Sequence, residues 1–324
     1  MKERNISVDF LKFLAVLFIT NSHMGPLYAK YSFLATGGCI GDVLFFFCSG
    51  FTLFLKPMEG IKQFPNWYKQ RINRIYPSLF AVAIFSVLIF HIHWDLLDLV
   101  VARKYWFVSC IMLYYAVIYF VGSYMKSKIN VIAVLVAIGT AVWFYMIYQT
   151  PGYSIYSPEY TTRWLLFFIF MLLGAKIGAN TQSIVSKPVA DICFLLLSVI
   201  CFYGMFIAGI RIESLAVLQY FSFIPLLIAV YYFYKVGTNP WVEKLYRSKV
   251  GNFIIRFVGG LCLEIYMVQF YFFTDKLNNI FPLNIIIVFI IIVMAAYIIR
   301  CFARFLSQTF KDAPYDWKKI VSFY

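Results

Sequence analysis

Three ionisable side chains interrupt the first apolar stretch of the sequence: Asp9, Lys12 and His23. An ionisable group at the centre of a bilayer costs about 2.5–3.5 kcal/mol on insertion scales, so few are kept without a use. An imidazole in such a place can serve as a general base or accept an acyl group as a nucleophile. Lys12 and His23 are eleven residues apart. At about 100° per residue they share one helix face, separated by a rise of about 16 Å. Asp9, three residues before Lys12, can pair with it within one turn. Asp42 opens the next apolar stretch, at the depth of His23 if that stretch crosses back. A carboxylate there would orient the imidazole and stabilise its protonated form. The competing readings are a hydrogen-bonded packing role for His23 and a helix N-cap for Asp42.

Other groups carry weaker signals. Arg71 and Arg74, in the connection before the third stretch, are three residues apart and share a face on a helical turn. Such a pair can grip phosphates; the alternative is charge resting against lipid headgroups. Arg256, Glu264 and Gln269 fall in the ninth stretch, where Arg256 and Glu264 lie two turns apart. They read either as a buried ion pair or as a carboxylate available as a general base. His91 and His93 alternate across a helix. The seven cysteines form no C-x-x-C pair and read as small core residues. No ligand-spaced cluster suggests a metal.

The elements that must position these residues follow from composition. Of 324 residues, 63% are hydrophobic and 13% charged, against about half and about a quarter in soluble domains. This excludes a cytosolic enzyme and a disordered chain. The net charge of +14 comes from scattered residues, which does not support nucleic-acid binding. The chain reads as an all-α polytopic membrane bundle, a single domain over 1–324. Ten spans are expected, at about 7–27, 39–56, 77–94, 105–124, 129–149, 163–181, 188–210, 214–236, 251–274 and 284–307. Turn-prone connections include Pro151-Gly152 through Pro158, Thr238-Asn239-Pro240 and Asp275 through Pro282. With both termini inside, twenty Lys and Arg, among them Lys2, Arg4 and Lys311, fall on inner segments and six on outer ones; Lys12 and Arg256 lie within spans. That bias sets the expected orientation. The first stretch reads as a retained helix, because Asp9 and Lys12 interrupt it and no small-x-small site follows. The tail bearing Trp317, Phe323 and Tyr324 reads as inner interface.

Several motifs resemble those of the integral-membrane acyltransferase 3 family, in its single-domain branch. Val8-Asp9-Phe10-Leu11-Lys12 with His23 is similar to the opening motif of a basic residue, ten residues and a histidine. Gly41-Asp42-Val43-Leu44-Phe45-Phe46-Phe47-Cys48-Ser49-Gly50-Phe51 resembles the G-V-D-x-F-F-x-x-S-G-F signature, and Arg71 to Pro77 the R-x-x-R-I-Y-P loop. Tyr105-Trp106-Phe107-Val108-Ser109 is similar to the block opening the fourth helix. Leu263 to Gln269 resembles a later I-Y block that usually ends in histidine, where this chain has Gln269.

The resemblance implies acyl transfer, often of acetyl, to hydroxyls of surface polysaccharides. It implies His23 and Asp42 as catalytic residues, with Lys12, Arg71 and Arg74 gripping the donor. Asp9, Ser49, Tyr76, Trp106, Glu264 and Gln269 are further candidates. The expected donor is acetyl-CoA, a substrate rather than a bound cofactor. The expected partners are an acyl-CoA, an outward-facing glycan or lipid-linked glycan, and lipid. The expected location is the cell membrane. The alternative is a glycan transporter or a polysaccharide polymerase. A transporter would often show repeats or matching broken helices, and a polymerase a large outer loop; neither is found.

Overall fold

The computed structural model describes residues 5–150, 152–157, 159–180, 185–309 and 313–323. Lys2, Arg4, Pro151, Pro158, Lys311 and Tyr324 lie outside the described residues. In lipid every backbone N–H and C=O must find an internal partner, which a helix provides locally. The described residues accordingly form helices and no strand. These are α1 (Ile6–His23), α2 (Gly38–Phe54), α3 (Gly60–Phe90), α4 (Leu96–Val100), α5 (Trp106–Tyr124), α6 (Ile129–Ile147), α7 (Thr161–Ala179) and α8 (Pro188–Arg211). The second half has α9 (Leu218–Phe221), α10 (Phe223–Gly237), α11 (Pro240–Arg247), α12 (Lys249–Gly260), α13 (Cys262–Val268), α14 (Leu283–Thr309) and α15 (Trp317–Ile320).

Eight helices are long and apolar enough to cross a membrane, or ten spans if two bent pairs each count as one. The ten expected spans match the larger figure. The first bent pair joins a 3-10 segment, Gly25–Leu34, to α2 at 101°. Its corner holds Gly37 at φ +100°, a left-handed conformation open to glycine. The second joins α12 to the Cys262–Tyr271 segment at 57°, just past the glycine pair 259–260. Glycine is a weak helix former, and such pairs are common bend sites.

Three expectations are corrected. The third helix starts at Gly60, not near 77, so Arg71 and Arg74 stand on a helix and not in a loop. Its first part is polar and was hidden from a hydropathy reading, and Pro65 and Pro77 lie inside it without ending it. The same helix stops at Phe90, so His91 and His93 do not occupy opposite helix faces; His91 has φ +54° and His93 pairs with Asp95 at 2.9 Å. Cys193 and Cys201 are exposed on α8 and are not core residues, unlike buried Cys48, Cys110 and Cys262.

The chain divides into two compact units, one of Met1–Leu11, Asp42–Gly60 and Val117–Gly251, the other of Lys12–Gly41, Ile61–Ala116 and Asn252–Tyr324. In the first unit α2 and α7 run parallel with their backbones in close approach. A Cβ on Gly50 would strike the Met171 carbonyl, and one on Gly174 or Gly178 the carbonyls of Phe47 or Phe51. Small residues at such crossings replace the hydrophobic drive that lipid removes. In the second unit Gly41 takes the same role against α1, where a Cβ would lie 2.8 Å from the Ala15 carbonyl.

Candidate active site

Helix α1 is unbroken from Ile6 to His23, so Lys12 and His23 share a face as the spacing predicts. His23 is its last residue and is exposed. The imidazole meets the Phe270 ring edge-on at 4.7 Å and lies 6.5 Å from Phe273. Edge-on aromatic contacts favour one ring orientation. Lys12 is half-buried and has no hydrogen-bond or ion-pair partner among the described residues. The Asp9–Lys12 pair expected from spacing is therefore not made; Asp9 accepts a hydrogen bond from the Tyr246 hydroxyl at 2.9 Å.

The irregular chain after His23 is fastened by three asparagines that sequence reasoning passed over. Asn21 Nδ2 donates to the carbonyls of Leu34 and Thr36, each at 2.9 Å, while its Oδ1 accepts from the Tyr28 hydroxyl at 2.5 Å. Asn284 Nδ2 donates to the Leu27 carbonyl at 2.8 Å and Asn278 Nδ2 to that of Pro26 at 3.0 Å. Non-helical backbone needs such partners because its own ladder is absent. The available signal was Asn284, an amide within an apolar run; it is wholly buried.

Asp42 is 4% exposed and forms an ion pair with Arg163, itself 8% exposed. The guanidinium also lies 5.1 Å from the Phe167 ring centre. Helix α2 begins at Gly38, four residues earlier, so Asp42 is not its N-cap. A buried carboxylate needs a counter-charge, and Arg163 provides it from the same end of parallel α7. Sequence reasoning counted Arg163 only as an outer charge. Its place at the opening of a span, level with Asp42, was the missed signal.

On α3 the two arginines part company. Arg71 is half-buried with its guanidinium 5.0 Å from the Trp67 ring centre, and its Nε is enclosed without a hydrogen-bond partner. Trp67 in turn meets Tyr115 edge-on at 6.2 Å. Arg74 is exposed. The Tyr76 hydroxyl donates to the Val100 carbonyl at 2.5 Å. Trp106 opens α5, half-buried and perpendicular to Phe107. Ser49, half-buried beside Gly50, accepts the Thr52 hydroxyl on its carbonyl at 3.1 Å.

Glu264 pairs not with Arg256 but with Arg300 at 2.7 Å, and it accepts from the Ser78 hydroxyl at 2.7 Å. A carboxylate so engaged is a structural tie rather than a ready base. Arg256 Nη1 donates to Asn252 Oδ1 at 3.3 Å. Gln269 is wholly buried, and neither its Nε2 nor its Oε1 has a hydrogen-bond partner. It directly precedes Phe270, the ring that backs His23. Among the described residues no group of three His, Cys, Asp or Glu is placed to hold a metal.

The arrangement offers an accessible imidazole, an unpaired ammonium on the same helix face and a half-buried guanidinium, the groups that acyl transfer from an anionic donor needs. Comparison with known proteins bears on that chemistry. No curated protein and no solved structure matches the chain. A family model described as an acyltransferase domain matches residues 5–301, nearly the whole sequence. The motif resemblances, the spans and this match agree: the chain belongs to the acyltransferase 3 family and is a multi-pass membrane acyltransferase.

Proposed function

We propose that the protein is a single-domain O-acyltransferase of the cell membrane that moves an acetyl group from acetyl-CoA to a hydroxyl of an outward-facing glycan or lipid-linked glycan. The observation that carries this reading is the setting of His23, exposed at the end of α1, backed by Phe270 and on one face with unpaired Lys12. In the direct route His23 takes the proton of the sugar hydroxyl as its oxygen attacks the thioester carbonyl. The C–S bond breaks and the proton passes to the sulfur of CoA. In the relay route the imidazole first takes the acetyl group with loss of the CoA thiol, then yields it to the hydroxyl oxygen.

The charge bias of the connections supports an orientation with both termini cytoplasmic, Arg71 on the donor side and His23 toward the acceptor. Lys12 and Arg71 then meet the negative donor, Arg71 with Trp67 fixing its guanidinium. Arg74, exposed, adds charge rather than a fixed grip. Asp42 keeps its candidacy through the motif resemblance alone, its carboxylate being paired with Arg163.

Thiol release from acetyl-CoA by the purified protein, with mixed cell-envelope glycans as acceptor, tests the reading. Acceptor-dependent release is expected, and the His23→Ala variant should lose it. A variant that retained wild-type turnover would refute both routes.

A further inference from the structure

A polar cavity, apart from the residues discussed so far, lies within the first unit. It has a volume of about 590 Å³ and is lined by Ser123 and Tyr124 at the end of α5, Lys126 in the turn, Asn130 in the first turn of α6, and Lys176 and Asn180 at the end of α7. That size falls in the range of small-ligand sites. Among the described residues no acidic side chain lines it. Neither lysine has an ion-pair or hydrogen-bond partner among the described residues. The Ser123 Oγ is enclosed and also lacks a partner. An enclosed hydroxyl without a hydrogen bond costs about 1–3 kcal/mol, and Lys126 and Lys176, both exposed, bring positive charge to the same cavity. A ligand bearing negatively charged oxygens would meet both.

The wall beside the cavity identifies the source of that ligand. Helix α6 has the least buried of the eight single-helix spans, 17% over its most apolar window. Its exposed row of Val131, Val134, Leu135 and Ile138 starts next to Asn130. Met125 and Tyr124 are exposed at the helix ends. A soluble phosphate has no use for such a row, whereas acyl chains would lie along it. Aromatic and lysine residues grouped at helix ends also mark the headgroup level.

We propose that this cavity binds the phosphate of an anionic phospholipid, with Lys126, Lys176 and Ser123 on the phosphate oxygens and the acyl chains against α6. The site is independent of the acyl-transfer reading and would exist whatever the protein acylates.

Native mass spectrometry of the purified full chain, titrated with phosphatidylglycerol or with phosphatidylcholine, tests it. One phosphatidylglycerol per chain should be retained in preference to phosphatidylcholine. Lys126→Gln and Lys176→Gln should each weaken retention about tenfold, the loss of one charge-assisted contact. Lys128→Gln is the control, because Lys128 carries the same charge on the same turn but does not line the cavity. Equal losses from Lys128→Gln and Lys126→Gln would reduce the effect to surface charge and overturn the proposal. So would retention of CoA or inorganic phosphate in place of lipid, lost in the same variants, since the cavity would then serve a soluble phosphate. An unchanged thermal midpoint in ligand-free protein shows that the variants are folded.

Discussion

Glu264 and Gln269 stand five residues apart on the same bent span and are housed in opposite ways. Glu264 has its carboxylate shared between Arg300 and Ser78. Gln269, more deeply buried, has an amide with nothing to bond. The same contrast recurs elsewhere. Asp42 with Arg163 and Asp191 with Lys235 are closed pairs, whereas Lys12 and the Nε of Arg71 are open groups. Closed clusters tie helices together, since a buried charge without its partner is costly. Open groups gain nothing for the fold, and Lys12 and Arg71 are the ones proposed to meet substrate. Both kinds look alike in sequence, as polar residues in apolar runs.

Substitutions can test this division, and the largest effect is expected at the proposed catalytic residue. His23→Ala should lower turnover by about 10²–10⁴, the range of general acid–base catalysis, with the thermal midpoint unchanged; loss of folded protein instead would make His23 a structural residue. Next come the ties. Arg300→Met leaves Glu264 with one partner and should destabilise by about 3–5 kcal/mol, seen as a lower midpoint in detergent. The double variant Glu264→Gln/Arg300→Met should recover part of that loss.

Gln269→Leu gives the sharpest contrast, because its two readouts should move in opposite directions. Removing an unbonded buried amide should raise stability by about 1–3 kcal/mol, while kcat/KM falls. A destabilised variant would show that the amide is bonded after all. The smallest effect is expected in the connection between α3 and α5. There the Lys104 ammonium, hydrogen-bonded to Asp98, holds its carboxyl down to about 2, with Asp95 and Arg103 adding to it. A depressed folded value means stability that is present above the unfolded value of 3.8 and lost as pH falls toward 2. Thermal midpoints should therefore drop over that window, and Asp98→Asn should flatten the drop.

Much of the outline was legible in advance. Stretches of about 20 apolar residues located the eight membrane-length helices and the two bent pairs, and the 8–77 motifs pointed to the family that the match over residues 5–301 establishes. The α1 face was legible because Lys12 and His23 belong to one helix, whose periodicity needs no neighbour. The start of α3 was not, because a polar helix leaves no hydropathy signal. Nor were the partners of the buried charges: Asp42 meets Arg163 across 121 positions and Ser78 meets Glu264 across 186.

The reason is physical. Whether a segment crosses lipid depends on a free energy summed over its own residues, so it can be read locally. Which charge is closed and which left open depends on how each helix is rotated and which helix lies beside it. Glycines such as Gly50 and Gly174 settle that by letting two backbones touch, and only the packed chain shows where they do.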